Sequence, residues 1–469
     1  MALLKTLPMR LSRRPIRVLL AGLLFVFFIL TLTRQRRPAG HGSPSQTYSR
    51  KTKSFFPPLK SKPGVDADYC QNFPKDLLQD IQVVLKTGMG DKPKNVRAHL
   101  STITSCISNL VIVSDHAEQM GDRQIIDILA ELPASYSVNN TDFQAYAEHK
   151  KALAEGDKVK HSAAGWRLDR FKFLPMVDKA YTMNPKAKWY VFLESDVYFF
   201  WDTLFRLLDQ LDPTEPHYLG SPRKGSNDRY YAYGGAGIVL SQGLMKKLIP
   251  QKTAPGDGFE NRLAVRYEDW VKPDCCGDAV LGYAIQNATG VKLQGLYPTF
   301  STDELKEITV DKDRWCVPLL SIHKMSADQM EPLWKWERTR PYNLKPFVYS
   351  SLLAYTHAFL KESPSREWWD NLSVAPVPND RPAHRNAGSC GSECGANPKC
   401  LQWSYSQTVC RFANYIKLGN PVEMDNGGQG EFTSGWDTNK MSEMGFKTDD
   451  EGDINDTCTE ATWLTPKIR

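Results

Sequence analysis

Trp189–Phe199 reads WYVFLESDVYF. Five apolar residues, Trp189 to Leu193, stop abruptly at Glu194-Ser195-Asp196, the pattern of a short buried strand that ends at a polar rim. A spacing of two puts Glu194 and Asp196 on the same side of the chain. Carboxylates arranged in this way are hard oxygen ligands for Mg²⁺ or Mn²⁺ bridging a diphosphate, and they are also an ordinary polar strand end. Two further runs have the same form: IQVVLK (81–86) ends at Thr87-Gly88, and LVIV (110–113) ends at Ser114-Asp115. Helical stretches are predicted between them, at Asp169–Tyr181 and Gln124–Leu132. Strands alternating with helices predict an α/β fold with a largely parallel sheet, whose ligands gather beyond the carboxyl ends of the strands.

The chain has 469 residues, 41% of them hydrophobic and 24% charged, enough for a sizeable core and too many for a tail or fibre. Its formal charge of +6 would suit a nucleic-acid partner if the cations lay on a folded surface. They do not: residues 1–64 hold 13 Lys and Arg and no Asp or Glu, so the rest of the chain carries −7. The basicity belongs to the amino terminus, which excludes the nucleic-acid reading.

That terminus has a membrane signature. Residues 18–33, VLLAGLLFVFFILTLT, form an uncharged run between Arg17 and Arg34. As a helix it spans about 24 Å, which suits the thinner early secretory membranes. A cleaved signal peptide has a similar apolar segment, but Arg34, Arg36, Arg37 and Pro38 stand where small cleavage-site residues belong. Five cations before the run predict a cytosolic tail and a luminal body. Residues 34–65 have few aliphatic side chains and read as a stem. Sequons stand at Asn139, Asn287, Asn371 and Asn455. Near the other end Cys390, Cys394, Cys400 and Cys410 cluster around Trp403 and Tyr405, as in a small disulfide-stapled module.

Three more segments bear chemistry. YAYGGAGIVLS (231–241) places Gly234, Gly235 and Gly237 where a backbone must approach something closely, or in a plain glycine turn; no GK[ST] follows, which excludes a P-loop. CCGDAVLGYAI (275–285) sets Asp278 at the start of a helical pattern, either as a carboxylate favoured by the helix dipole or as a general base. His323 in PLLSIHKM follows an apolar run and reads as a structural histidine or a ligand.

The order of these pieces resembles glycosyltransferase family 31, the Fringe-like and core 1 galactosyltransferase-like enzymes, and its fungal members most, over roughly Ile81 to Trp336. GGAG with its aromatic neighbours is the most specific match. The resemblance implies a GT-A (Rossmann-like) fold and inverting transfer of galactose or N-acetylglucosamine from a UDP-sugar to a glycan or glycoprotein, typically in β-1,3 linkage and with Mn²⁺ or another divalent cation. Carried over by position, Asp278 is the base, and Asp196 and His323 are the metal ligands. Thr87, Asp115, Lys172, Glu194, Ser195, Gly234 and Gly235 line the donor site. The chain departs from the family in having Glu194 where an Asp is usual and Ser195 where a middle carboxylate is usual. The cysteine cluster with WSYS resembles a PAN/apple module, which implies Cys394–Cys400 and Cys390–Cys410 pairing and leaves Cys70, Cys106, Cys275, Cys276, Cys316 and Cys458 open.

The expected organisation is therefore tail (1–17), signal anchor (18–33), stem (34–65), GT-A domain (66–345), linker (346–379) and PAN-like module (380–469). The protein would be a single-pass type II membrane glycoprotein of the Golgi or endoplasmic reticulum. The competing class is an inactive glycan- or protein-binding membrane protein acting through the PAN-like module, a reading that Ser195 keeps open.

Overall fold

The computed structural model describes residues 48–57, 68–89, 91, 93–156, 163–250, 262–340, 346–356, 359–360, 363–423, 432–444, 446–448, 454–456, 458 and 460–469. The apolar run at 18–33 and most of the expected stem lie outside these residues. Among the described residues no helix is long and apolar enough to cross a membrane.

A nine-stranded mixed sheet organises the molecule. Its strands are β1 (Ile81–Lys86), β2 (Leu110–Ser114), β3 (Glu118–Met120), β4 (Arg123–Asp127), β5 (Trp189–Glu194), β6 (Tyr218–Gly220), β7 (Ile238–Ser241), β8 (Gln294–Gly295) and β9 (Lys467–Ile468). Their order across the sheet is β9-β8-β6-β7-β5-β1-β2-β4-β3. The three runs read from the sequence are its centre: β1 is parallel to both β2 and β5, with Lys86 beside Glu194 and Val113. All six residues of β1 are buried, with Val83 and Leu85 in one apolar cluster and Val84 in the other. That alternation is why these strands read as continuous apolar runs.

Two expectations about the sheet need correcting. It is mixed rather than largely parallel, because β7 runs antiparallel to β5 and β6. Seventeen residues separate β6 from β7, and they form a hairpin of Pro222–Lys224 with Tyr230–Ala232 rather than the crossover helix a parallel neighbour requires. Gln124–Leu132 is not a helix. Its first residues belong to β4, paired parallel with β2 and antiparallel with β3, and only Ile128–Glu131 turn helically, capped by Asp127 accepting from the Ala130 amide at 3.2 Å. The adjoining Ile125 and Ile126 favour the strand, and the Gly121-Asp122 turn delivers it to the sheet edge.

Four helices matter to the site: α1 (Pro93–Ser101), α2 (Thr141–Ala154), α3 (Phe173–Met183) and α4 (Gly277–Thr289). The helix expected at Asp169–Tyr181 is a 3₁₀ turn, Asp169–Lys172, running into α3. Eight residues of α3 and nine of α4 are buried, packed on the sheet face that carries Val84, Phe192 and Ile238. Gly290 ends α4 in the left-handed conformation (φ +71°).

The carboxyl-terminal region holds a five-stranded antiparallel sheet with Ser365–Glu367, Thr433–Trp436, Gln402–Ser406, Val409–Ala413 and Ala375–Pro376, beside the helix Ala387–Ala396. Its disulfides are Cys390–Cys410 and Cys394–Cys400, the pairing implied by resemblance. This sheet draws strands from the stretch expected to be a linker. The last residues return to the main sheet as β9, and Cys458 is bonded to Cys316. All ten cysteines are paired, the others as Cys70–Cys106 and the adjacent Cys275–Cys276. The Asn371 sequon is buried, its amide donating to the carbonyls of Trp403 (3.0 Å) and Gly435 (3.1 Å), so it is closed to glycosylation in the folded chain.

Candidate active site

Glu194 ends β5, and Asp196 follows two residues later. Tyr198–Phe199 then pairs antiparallel with Ser321–Ile322, in register Phe199↔Ser321 and Tyr198↔Ile322. That two-residue ribbon delivers His323 to the acids across more than 120 residues of chain. Ligand atoms of Glu194, Asp196 and His323 lie within 4.8 Å of one another, and His323 Nε2 is 3.8 Å from Asp196 Oδ2. The Met325 amide donates to the Asp196 carbonyl at 2.7 Å, which locks the two segments.

The GGAG turn fits against this group from the other side. A Cβ on Gly234 would stand 2.7 Å from Glu194 Oε1, and one on Gly235 would stand 2.7 Å from His323 Cε1. Both glycines are therefore required by close approach to the candidate ligands. Ser321 Oγ donates to the Ala236 carbonyl at 2.7 Å and pins the turn to the ribbon. The Gly234 amide reaches in the opposite direction, donating to Asp278 Oδ2 at 2.9 Å. Asp278 is the second residue of α4, and its Oδ1 accepts from the Ala279 amide at 2.9 Å. The rigid ring of the Cys275–Cys276 disulfide immediately precedes this helix. One glycine turn thus joins the acid–histidine group to the candidate base.

Burial raises the carboxyl pKa of Asp278, against the lowering effect of the two amide bonds and of Lys86. Burial likewise raises Glu194 and Asp196, the former against the pull of Lys86 and the latter against that of His323. Burial lowers His323, leaving a neutral imidazole able to ligate. Two carboxylates that resist ionisation alone, beside a neutral imidazole, are a donor set suited to Mn²⁺ or a similar divalent ion.

The other expected donor residues surround the ends of β1 and β2. Lys172 is buried and donates to the Thr87 carbonyl at 2.9 Å, with Asp115 at 3.4 Å and Asp169 at 3.5 Å. Asp115 is buried as well, its Oδ1 accepting from the Met89 amide at 2.7 Å. Thr87 Oγ1 and Ser195 Oγ both donate to Asp91 Oδ2, at 2.9 and 3.2 Å. Sequence reading missed Asp91, Lys86 and Asp169. Lys86 Nζ donates to both oxygens of Asp169 at 2.6 Å and lies 3.4 Å from Glu194 Oε1. Burial alone would lower its pKa, but Asp169 and Glu194 outweigh it and raise it. A lysine in an apolar strand-end run was the available signal.

Residues 141–329 match the family model described as Fringe-like. They are a Fringe-like domain. The domain begins with α2 and holds Glu194, Asp196, the glycine turn, Asp278 and His323, while β1, β2 and Asp91 precede the matched stretch. Lunatic fringe, named a beta-1,3-N-acetylglucosaminyltransferase, is 32% identical in Danio rerio over 121 residues, 23% of this chain and 30% of that protein. The Gallus gallus form is 26% identical over 169 residues, 31% of this chain and 44% of that protein. The chain thus spans less than half the length of these relatives. A solved glycosyltransferase involved in glycosylation of the major capsid of PBCV-1 aligns with 53% of this chain and 99% of its own, at 11% identity and a TM-score of 0.21, a likeness too slight to bear on the site.

Proposed function

We propose that the Fringe-like domain is a GT-A, metal-dependent, inverting glycosyltransferase that moves a sugar from a UDP-sugar donor to a glycan or glycoprotein hydroxyl. The observation that carries this is the single glycine turn holding the Glu194–Asp196–His323 group on one side and Asp278 on the other. The names of the relatives favour N-acetylglucosamine as the sugar and a β-1,3 linkage over the galactose alternative.

Asp196 and His323 would hold a divalent ion, with Glu194 steadied by Lys86 at its edge. The ion, when bound, neutralises the charge that develops on the departing diphosphate. Asp278 takes the proton of the acceptor hydroxyl. That oxygen bonds to the anomeric carbon as the bond from the same carbon to the diphosphate oxygen breaks, and its electron pair leaves with UDP. The raised pKa of Asp278 makes it a stronger base than an exposed aspartate, and general-base assistance of this kind contributes roughly 10²- to 10⁴-fold.

Complete pairing of the cysteines supports an oxidising compartment, in keeping with a type II protein anchored in the Golgi or endoplasmic reticulum membrane through residues 18–33. The cystine-bonded sheet after Ser365 would be a PAN-like module for binding glycan or protein.

The test is UDP release from a panel of UDP-sugars with and without Mn²⁺. Asp196→Ala should abolish metal-dependent turnover. Asp278→Asn should keep UDP–Mn²⁺ affinity while turnover falls about 10²- to 10⁴-fold. Undiminished transfer by Asp196→Ala in the presence of chelator refutes the metal assignment.

A further inference from the structure

We propose that Asp91 is the group that recognises the ribose hydroxyls of the nucleotide donor, taking over the place of the carboxylate that Ser195 lacks. The proposal rests on the reading of the domain as a UDP-sugar transferase. Asp91 lies in the turn after β1, where its amide donates to the Gly88 carbonyl at 2.9 Å. Its Oδ2 accepts three hydrogen bonds: from the Gly88 amide at 2.8 Å, Thr87 Oγ1 at 2.9 Å and Ser195 Oγ at 3.2 Å. Its Oδ1 accepts none from the described residues. One oxygen fixes the carboxylate and the other stays available.

Position selects the ligand group. Lys86 at the end of β1 sits beside Glu194 of β5 on one side and Val113 of β2 on the other. Neighbouring strands are about 4.8 Å apart. The glycine turn and Asp278 close the other flank of Glu194–Asp196, so a nucleotide whose diphosphate lies there would extend over the end of β1, and the moiety joined to the diphosphate is the ribose. Gly88 leaves a hollow there. A Cβ at this position would meet Lys172 Nζ at 3.0 Å, Asp91 Oδ1 at 3.7 Å and Asp115 Oδ1 at 3.8 Å. Of these three atoms, Lys172 Nζ and Asp115 Oδ1 are committed to each other and to backbone groups, so among the described residues Asp91 Oδ1 is the one of the three left open as an acceptor. A carboxylate accepting from ribose hydroxyls is a recurrent means of nucleotide recognition. Ser195 acts as a positioning residue: its hydroxyl tethers a carboxylate supplied by the next strand, so the neutral residue in the middle of the acidic motif does not leave that side of the site without an anion.

Calorimetric titration of the full chain with UDP, 2′-deoxy-UDP and 3′-deoxy-UDP, each with Mn²⁺, tests this. The native chain should bind UDP roughly ten- to hundredfold more tightly than at least one deoxy form, the range for a hydrogen bond to a charged group. Asp91→Ala should bind UDP as weakly as the native chain binds that deoxy form, with the preference gone. Asp91→Asn, which keeps the volume if the alanine variant fails to fold, should reduce the preference. Ser195→Ala should reduce it less. Equal weakening of all three ligands by the Asp91 variants, or a native chain indifferent to both hydroxyls, overturns the ribose assignment while leaving the transferase reading intact. No metal-dependent UDP binding by the native chain overturns both.

Discussion

Replacing Gly235 with alanine tests whether the glycine turn exists to let His323 reach the acids. The added methyl would stand 2.7 Å from His323 Cε1 and 2.8 Å from Cδ2, against the 3.5–4.0 Å or so at which carbon atoms rest. The imidazole must therefore retreat by about 0.7 Å or more. Tyr233 packs edge-on against it at 5.3 Å, and the Met325–Asp196 bond fixes the chain beyond it, so the shift is taken up by the ring–acid geometry. Productive sites tolerate roughly 0.5 Å of misplacement, and a 1 Å error costs about a hundredfold. The expected result is Mn²⁺-dependent UDP release reduced about a hundredfold, with a destabilisation of about 1–3 kcal/mol for overpacking. Mn²⁺ titration of the rate, alongside a thermal melt, separates the two effects. Gly395→Ala, whose methyl meets nothing within 4 Å, is the control. Native Mn²⁺ affinity and rate in Gly235→Ala would refute the close-approach role, because the turn would then be spacing and nothing more.

Lys86→Met should be costly for a different reason, since it strands Glu194 without its cation and leaves Asp169 to the more distant Lys172 at 3.5 Å. Breaking a buried pair costs about 3–5 kcal/mol, and with Asp169 about a third exposed the lower end is expected in a urea melt. His99 of α1 supplies a pH test. Burial lowers its pKa to about 4, and the ring spans Thr104 Oγ1 at 3.2 Å and the Val197 carbonyl at 3.0 Å, just beyond Asp196. Because the unfolded chain takes up a proton near pH 6.5 and the folded chain resists it, stability should fall as pH drops, by about 2 kcal/mol between pH 7.5 and 5. His99→Gln should flatten that part of the curve in thermal melts, and an unchanged slope would show that His99 does not supply it.

The centre of the sheet was legible because β1, β2 and β5 are buried on both faces and so read as unbroken apolar runs with polar stops. Asp278 and α4 were legible for a related reason: a helix start leaves a local mark in residue type and spacing. Gln124–Leu132 misled because Ile125 and Ile126 suit either period, and pairing with β2 decided between them. The meeting of His323 with Asp196 depends on a two-residue ribbon whose register no local pattern records; only family resemblance anticipated it. Asp91 and Lys86 were passed over for a physical reason too. A charged residue at or just past a strand end looks solvent-facing until the tertiary structure surrounds it, Lys86 with counter-charges and Asp91 with hydrogen-bond donors.

Those counter-charges explain how so many acids can share one strand-end rim. Lys86 is committed to Asp169 and Glu194, and Lys172 to Asp115 and Asp169, so two lysines accommodate three carboxylates from inside the fold. Among the described residues, the direct partners of Asp196, Asp91 and Asp278 are a histidine, hydroxyls and backbone amides, all neutral in the states described. Hydrogen bonds from neutral donors moderate a carboxylate's charge without cancelling it. The unbalanced charge therefore sits where a cation, a diol and an acceptor hydroxyl would each find a separate oxygen. Lys86 lies before the stretch that matches the Fringe family and Lys172 within it. The domain's chemistry thus leans on a strand the match does not include, and this is why Lys86→Met should disturb Glu194 even though the acid–histidine group itself remains complete.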